Sequence, residues 1–274
     1  MISLDAEAVH RLLGEDVRSR LVAFEGFDEI ESTNSYLMQQ AGPPPGQLRI
    51  ALTDNQTRGR GRHGRTWVSP PGSGLCVSQA YTYTTAPAHL SALTLAIGLG
   101  VIEALENVGI HGVQLKWPND LIAANGKLGG ILTETQAQLS ASITVVTGVG
   151  LNVELAGEPD LGIETNRALR VVDLAGYVPA VPPREQLAAQ LIDHICGVFV
   201  DYETGGFEPY AARWAARDWL LGRELIVDMP NHQVEGVGAG IGEDGALLVD
   251  SGLGTLHRVT SGTVVVTGAG EPDA

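Results

Sequence analysis

Apolar positions along the chain switch between a period of two and a period near 3.6, and the switches mark elements. Residues 22–31 (VAFEGFDEIE) read as a strand. The following STNSYLMQQAG reads as a helix capped by Ser32 or Thr33 and stopped by Gly42. A PPPG turn leads to a strand over 48–54, and the run LCVSQAYTY predicts another. Over 89–108, Leu90, Leu93, Ile97, Val101 and Leu105 hold helical spacing up to Gly109. Asn125-Gly126 signals a two-residue hairpin turn, and SITVVTGVGLNVEL, the most β-branched stretch, predicts a central strand. A turn-rich stretch over 157–183 with Pro159, Pro179, Pro182 and Pro183 precedes helices expected at 184–202 and 207–220. From Gly222 the pattern becomes short strands with glycine turns, including an Asp244-Gly245 hairpin. This predicts an α+β catalytic domain over 1–220 and a small barrel of about five strands over 221–274.

Composition narrows the classes. The chain has 274 residues, 44% of them hydrophobic and 18% charged, which predicts a well-filled globular core. The candidate membrane run over 90–108 is broken by Ser, Thr, Gly and Glu. The N-terminus lacks the basic-then-apolar order of a secretory signal, so a cytoplasmic location is expected. A formal charge of -15 argues against broad attraction to DNA or anionic lipid, and neither nucleic acid nor membrane is an expected partner. Cys76 and Cys196 have no second cysteine or close histidine at ligand spacing and read as buried thiols.

Against that acidic background, four of the 17 basic residues fall between positions 58 and 65, in RGRGRHGR. Such density is costly unless an anion or water screens it. Its glycines permit close backbone approach, and its guanidinium groups suit bidentate contact with phosphate or carboxylate; a solvated loop is the competing reading. The chain's two lysines, Lys116 and Lys127, share one short segment. Lys116 opens KWPND, where Pro118 turns the chain out of its strand and leaves a compact cation at the sheet's end. In GKLGGIL, adjacent glycines in an apolar strand imply the close approach of something flat or of another backbone.

Taken in order, STN, GRGRHGRTW, KWPNDL, GKLGGIL and GVGLN resemble the biotin protein ligases, and the similarity runs from about Ser32 to the C-terminus through GIGEDGALLV. The resemblance implies a catalytic domain related to class II aminoacyl-tRNA synthetases followed by an SH3-like barrel. ATP and biotin are then substrates, Mg²⁺ is expected, and the acceptor is a biotin carboxyl carrier domain, with the enzyme a monomer or homodimer. Ser32, Thr33, Asn34 and Gln56 are implied to hydrogen-bond the biotin ureido ring, although Ser32 or Thr33 also fits a helix cap. Arg60, Arg62 and Arg65 are implied to close over the adenylate, with Arg58 a solvated neighbour and Trp67 an apolar wall or a core residue. Lys116 is implied as the central catalytic cation, assisted by Arg60 and Arg62. Gly129 and Gly130 are implied to lie flat against biotin beside Arg60 and Lys116, and Asn152 to lie near the nucleotide. Asn119 and Asp120 read as turn-fixing residues, and no metal ligand is assigned. Two departures stand out. His63 occupies a position where arginine is frequent, and SGTVVV replaces the usual glycine-glutamate before the last strand, which puts the barrel's contribution in doubt. A lipoate-type ligase is the nearest alternative. A DNA-binding repressor needs more than the 22 or so residues before the first strand, and a nucleic-acid-binding module conflicts with the charge.

Overall fold

The computed structural model describes residues 4–137, 141–155, 169–230, 232–252 and 254–267. The chain begins with two short helices, α1 (Ala6–Leu12) and α2 (Glu15–Arg20), which periodicity did not reveal. Each buries only one residue, Val9 and Val17 respectively, too few to set a period. Then come β1 (Leu21–Phe27), α3 (Thr33–Gln39), β2 (Leu48–Thr53), β3 (Gln56–Arg60), β4 (Thr66–Ser69), β5 (Gly74–Tyr83) and α4 (Leu93–Asn107). The strands β6 (Gln114–Lys116), β7 (Asp120–Ala123), β8 (Gly126–Ala137) and β9 (Ile143–Asn152) follow. The helices α5 (Leu174–Tyr177), α6 (Arg184–Gly205) and α7 (Glu208–Ala215) precede β10 (Glu224–Asp228), β11 (Gln233–Ile241), β12 (Leu247–Asp250), β13 (Leu256–Val259) and β14 (Thr263–Val266). Of the expected prolines, Pro159 lies outside the described residues.

Seven strands form one mixed sheet in the order β1-β2-β5-β9-β8-β7-β6, with β1 and β2 parallel and the other pairs antiparallel. The β-branched β9 is the middle strand, as its sequence predicted. One face is covered by α4 and α6, which pack on each other closely enough that a Cβ on Gly100 would meet Val198. The segment Leu90–Asn107 has the length and mean hydropathy, 1.4, of a membrane span, which the sequence reading had denied it. It is nevertheless 67% buried within the fold, as a core helix is. Strand alternation sends neighbours to opposite faces: Gln79 of β5 donates to the Ile192 carbonyl of α6, while Ser78 faces α3.

Two local expectations change. The hairpin joining β7 and β8 turns on Ala124 and Asn125, both at positive φ (45° and 55°), with Ala123 opposite Gly126. The turn lies one residue earlier than Asn125-Gly126, because Gly126 serves close packing: a Cβ there would meet Val172 and the Arg170 carbonyl. The helix expected over 207–220 ends at Ala215. Beyond it the chain straightens to exchange backbone bonds with β6, Leu115 N–H to Arg217 O and Trp219 N–H to Leu115 O.

The strands β10 to β14 form a second, five-stranded antiparallel sheet in the order β13-β12-β11-β10-β14. It is tied to the first by the Trp117 indole N–H, which donates to the Gly245 carbonyl at 3.0 Å. Substitution to glycine tests the turn register by urea denaturation. Ala124→Gly, which relieves a left-handed alanine, leaves stability unchanged or raises it by up to about 1 kcal/mol. Ala123→Gly, in the buried strand, lowers it by about 1 kcal/mol or more.

Candidate active site

Between the open face of the large sheet and the smaller sheet lies a cavity of about 960 Å³. Its floor follows from glycine spacing. Gly148, Gly150 and Asn152 of β9 share one face by strand alternation, and Gly130 of β8 pairs with Gly150. Trp67 of β4 lies against this floor, so a Cβ on Gly150 would collide with the indole. Gly129 does not line the cavity. A Cβ on it would point to the Gly150 carbonyl and to Leu121 in the core, so only one of the adjacent glycines faces the cavity.

One end of the cavity is built at the start of α3. Ser32 caps the helix, its Oγ accepting from Ser35 N–H at 3.3 Å, and it also lines the cavity, so the cap does not withdraw it from the site. Thr33 is buried behind the wall, where its N–H and hydroxyl both donate to Gln56 Oε1 (2.8 and 3.2 Å). This leaves the Gln56 amide nitrogen without a hydrogen-bond partner among the described residues. The Ser78 hydroxyl lies 2.7 Å from both Thr33 Oγ1 and Asn34 Oδ1; its single proton suits Asn34 Oδ1, which can only accept. Asn34 Nδ2 spends its two protons on Leu132 O and Glu134 Oε2, both at 3.1 Å. The uncommitted groups at this end are therefore the Ser32 hydroxyl proton, the Gln56 amide donors and a lone pair on Asn34 Oδ1.

The other end is charged. Asp120, opposite Lys116 across the β6–β7 turn, accepts Lys127 Nζ at 2.6 Å and lies 3.6 Å from Lys116 Nζ. Burial pushes the Asp120 carboxyl up, but the two lysines outweigh it and hold it below the usual carboxylate range. Burial, only partly offset by Asp120, pulls the Lys116 ammonium below the usual lysine range. Lys127 also sits 5.8 Å from the Trp67 ring centroid. Reading Asp120 as a turn residue thus missed its main contact, although its place between the chain's two lysines was a usable signal.

The arginine-rich segment is a small two-stranded ribbon, β3 and β4, whose tip is a single 3-10 turn over Arg62–Gly64. His63 and Gly64 take left-handed conformations there. The arginines divide between the two ends. Arg60 pairs with Glu134 near α3 (2.6 Å), whereas Arg62 and Arg65 lie in the field of Asp120. Burial lowers the Arg62 pKa, with Asp120 opposing and Arg65 adding to the effect. Arg58 is exposed against Glu31. Arg65 reaches the second sheet, its Nη2 donating to Thr263 Oγ1 at 2.7 Å, and residues 263–266 line the cavity, so the divergent SGTVVV segment forms part of the wall. Asn152 spends its amide protons on the Val172 and Lys127 carbonyls (3.0 and 3.4 Å). Of the residues singled out in the sequence, Ser32, Asn34, Gln56, Arg60, Arg62, Arg65, Trp67, Lys116, Gly130 and Asn152 meet at this one cavity, while Thr33 and Gly129 do not. Sequence reasoning missed Glu134, Gly148 and Thr263. Of these, Gly148 lay in the alternate glycines of VTGVGLN and Thr263 in the divergent SGTVVV, whereas Glu134 had no visible signal. Among the described residues no three His, Cys, Asp or Glu side chains gather as a metal site would require.

Comparison with known proteins points the same way. Residues 26–152 match the biotin/lipoate A/B protein ligase family. The chain is 32% identical over 251 residues to the bifunctional ligase/repressor BirA of Salmonella typhimurium, an alignment covering 90% of this chain and 73% of that protein. It is 33% identical over 243 residues to the biotin--[acetyl-CoA-carboxylase] ligase of Mycobacterium tuberculosis, covering 85% of each. In fold it resembles the biotin protein ligase of Aquifex aeolicus solved with biotin and ATP, with a TM-score of 0.72, 24% identity, and coverage of 90% of this chain and 99% of that one. The chain belongs to the biotin/lipoate A/B protein ligase family and, within it, to the biotin protein ligases.

Proposed function

We propose that this enzyme joins biotin to ATP as biotinyl-5'-AMP and passes the biotinyl group to a lysine of a biotin carboxyl carrier domain. The observation that carries the reading is the polarity of the cavity. A cyclic urea presents a carbonyl acceptor and N–H donors, which complement the donors of Ser32 and Gln56 and the acceptor of Asn34. A dithiolane ring has neither and would leave those groups unpaired, which favours biotin over lipoate. The glycines at 148 and 150 let Asn34 and Trp67 lie close against the sheet, which places an amide acceptor and a flat apolar wall beside the space for a fused bicyclic ring.

The opposite end then receives the carboxylate and the nucleotide. In the first step a biotin carboxylate oxygen bonds to the α-phosphorus, the bond to the bridging oxygen breaks, and pyrophosphate leaves. Lys116, Arg62 and Arg65 hold the anionic groups together and neutralise charge that grows at the phosphorus. Mg²⁺ bound to ATP would help neutralise the departing pyrophosphate; among the described residues no acidic cluster gathers to hold it, and Asp120 is already engaged by two lysines. In the second step the acceptor amine attacks the mixed anhydride at its carbonyl carbon, loses a proton, and releases AMP. Both nucleophiles come from substrates, so the chain needs none of its own. Asn152 is read as a support for the segments around Lys127 and Val172 at the nucleotide end. The smaller sheet is read as the SH3-like domain, with the boundary near 220/221, and the larger unit as the synthetase-like catalytic domain.

Two measurements test this. Incubation with ATP, Mg²⁺ and either biotin or lipoate yields an acyl-adenylate by mass spectrometry from biotin; product from lipoate alone overturns the reading. Lys116→Ala folds normally but forms adenylate at least about 10²–10³-fold more slowly, and Lys116→Arg is also poor because a planar fork does not replace a point charge. Near-normal turnover in either variant removes Lys116 from its role.

A further inference from the structure

Glu134 lies on β8, outside every motif that marks the family in this sequence, yet its carboxylate joins Asn34 of α3 to Arg60 at the end of β3. Its Oε2 accepts from Asn34 Nδ2 at 3.1 Å and from Arg60 Nη1 at 3.3 Å, and its Oε1 accepts from Arg60 Nη2 at 2.6 Å. Arg60 Nη1 also donates to Ser35 Oγ at 3.2 Å, so the guanidinium bridges β8 and the first turn of α3. With a side-chain exposure of 21%, Glu134 is shielded enough for this paired arrangement to be oriented, while Arg60 at 44% lies toward solvent.

We propose that Glu134 is a positioning residue that fixes the ring-binding amide of Asn34 and the stem of the arginine ribbon to each other, so that seating the biotin ring and seating the ribbon are one event. By taking an Nδ2 proton, Glu134 turns Asn34 so that Oδ1 faces Ser78 and the cavity; that oxygen lies over Gly148, where a Cβ would collide with it. By pairing with Arg60, the same carboxylate pins the last residue of β3. It thereby divides the ribbon into a held stem and a tip, residues 61–65, whose Arg62 and Arg65 remain for the phosphate end. A carboxylate is required because both neighbours are donors. A glutamine in its place can accept from one of them but turns its own N–H₂ toward the other.

The ligand half of the proposal rests on the biotin reading above; the ribbon half does not, and the test separates them. In Glu134→Gln without ligand, amide hydrogen exchange over the ribbon stem, residues 57–60, accelerates at least fivefold while protection of β5 and β9 is unchanged. In steady state the same variant raises the KM for biotin about tenfold and leaves the KM for ATP within twofold. The double variant with Arg60→Ala is no worse than Arg60→Ala alone in ribbon exchange. Unchanged exchange in the ribbon, an unchanged biotin KM, or equal rises in both KM values with a lowered Tm each overturn the proposal, the last by showing a general structural role. A wild-type protein that makes no biotinyl-adenylate refutes the biotin reading, and the exchange result still judges Glu134.

Discussion

Everything at the reactive end of this molecule depends on one largely buried carboxylate held between two ammonium groups. Removing three charges from water is costly, and the cost is recovered only if each is paired at close range. Asp120 meets both lysines, and its pKa stays low despite burial, so it is a fixed negative charge rather than a titrating acid. That charge opposes the pull of burial on Lys116, which acts toward the neutral amine. The cluster as a whole remains positive, which suits a pocket that must gather carboxylate and phosphate. The KWPND turn sets this up: it reverses the chain between β6 and β7 so that residues 116 and 120 face each other across the ladder.

Close approach is the second constraint. The sheet carries no side chains at Gly130, Gly148 and Gly150, and Asn34 and Trp67 occupy the space that side chains at Gly148 and Gly150 would take. The same economy recurs where the smaller sheet docks, with the Trp117 indole bonded to the Gly245 carbonyl and Gly245 packed so tightly that a Cβ would strike Ala92. Arg65 and Thr263 then carry the second sheet to the cavity rim. The divergent SGTVVV segment does not detach the sheet from the site: a hydroxyl and valines line the wall there.

How much of this the sequence disclosed varies with the physical range of the interaction. Local patterns were readable: the β-branched run that became the central strand, the apolar spacing of α4, the Ser32 cap, and Lys116 at a strand end. What failed depended on partners distant in sequence. The face on which Gly129 lies is fixed by pairing with β9, the early end of α7 by backbone bonds to β6, and the shifted hairpin turn by packing against residues 170–172. Glu134 was invisible because its partners, Asn34 and Arg60, are 100 and 74 residues away. The arginines were read as closing over an adenylate, with Arg60 also beside biotin and Arg58 solvated; the ribbon geometry, which only the fold discloses, places Arg60 near α3 and Arg62 and Arg65 in the field of Asp120.

The central claim is that Asp120 keeps Lys116 charged for adenylate formation, and the pH dependence of single-turnover adenylation tests it most directly. Activity requires protonated Lys116, whose pKa is depressed, so the wild-type rate falls with rising pH before the usual lysine range is reached. Asp120→Asn removes the charge that raises the Lys116 pKa, so its alkaline limb moves to lower pH, with the fold verified by unchanged circular dichroism. Superimposable profiles, or a limb displaced to higher pH, would contradict the account.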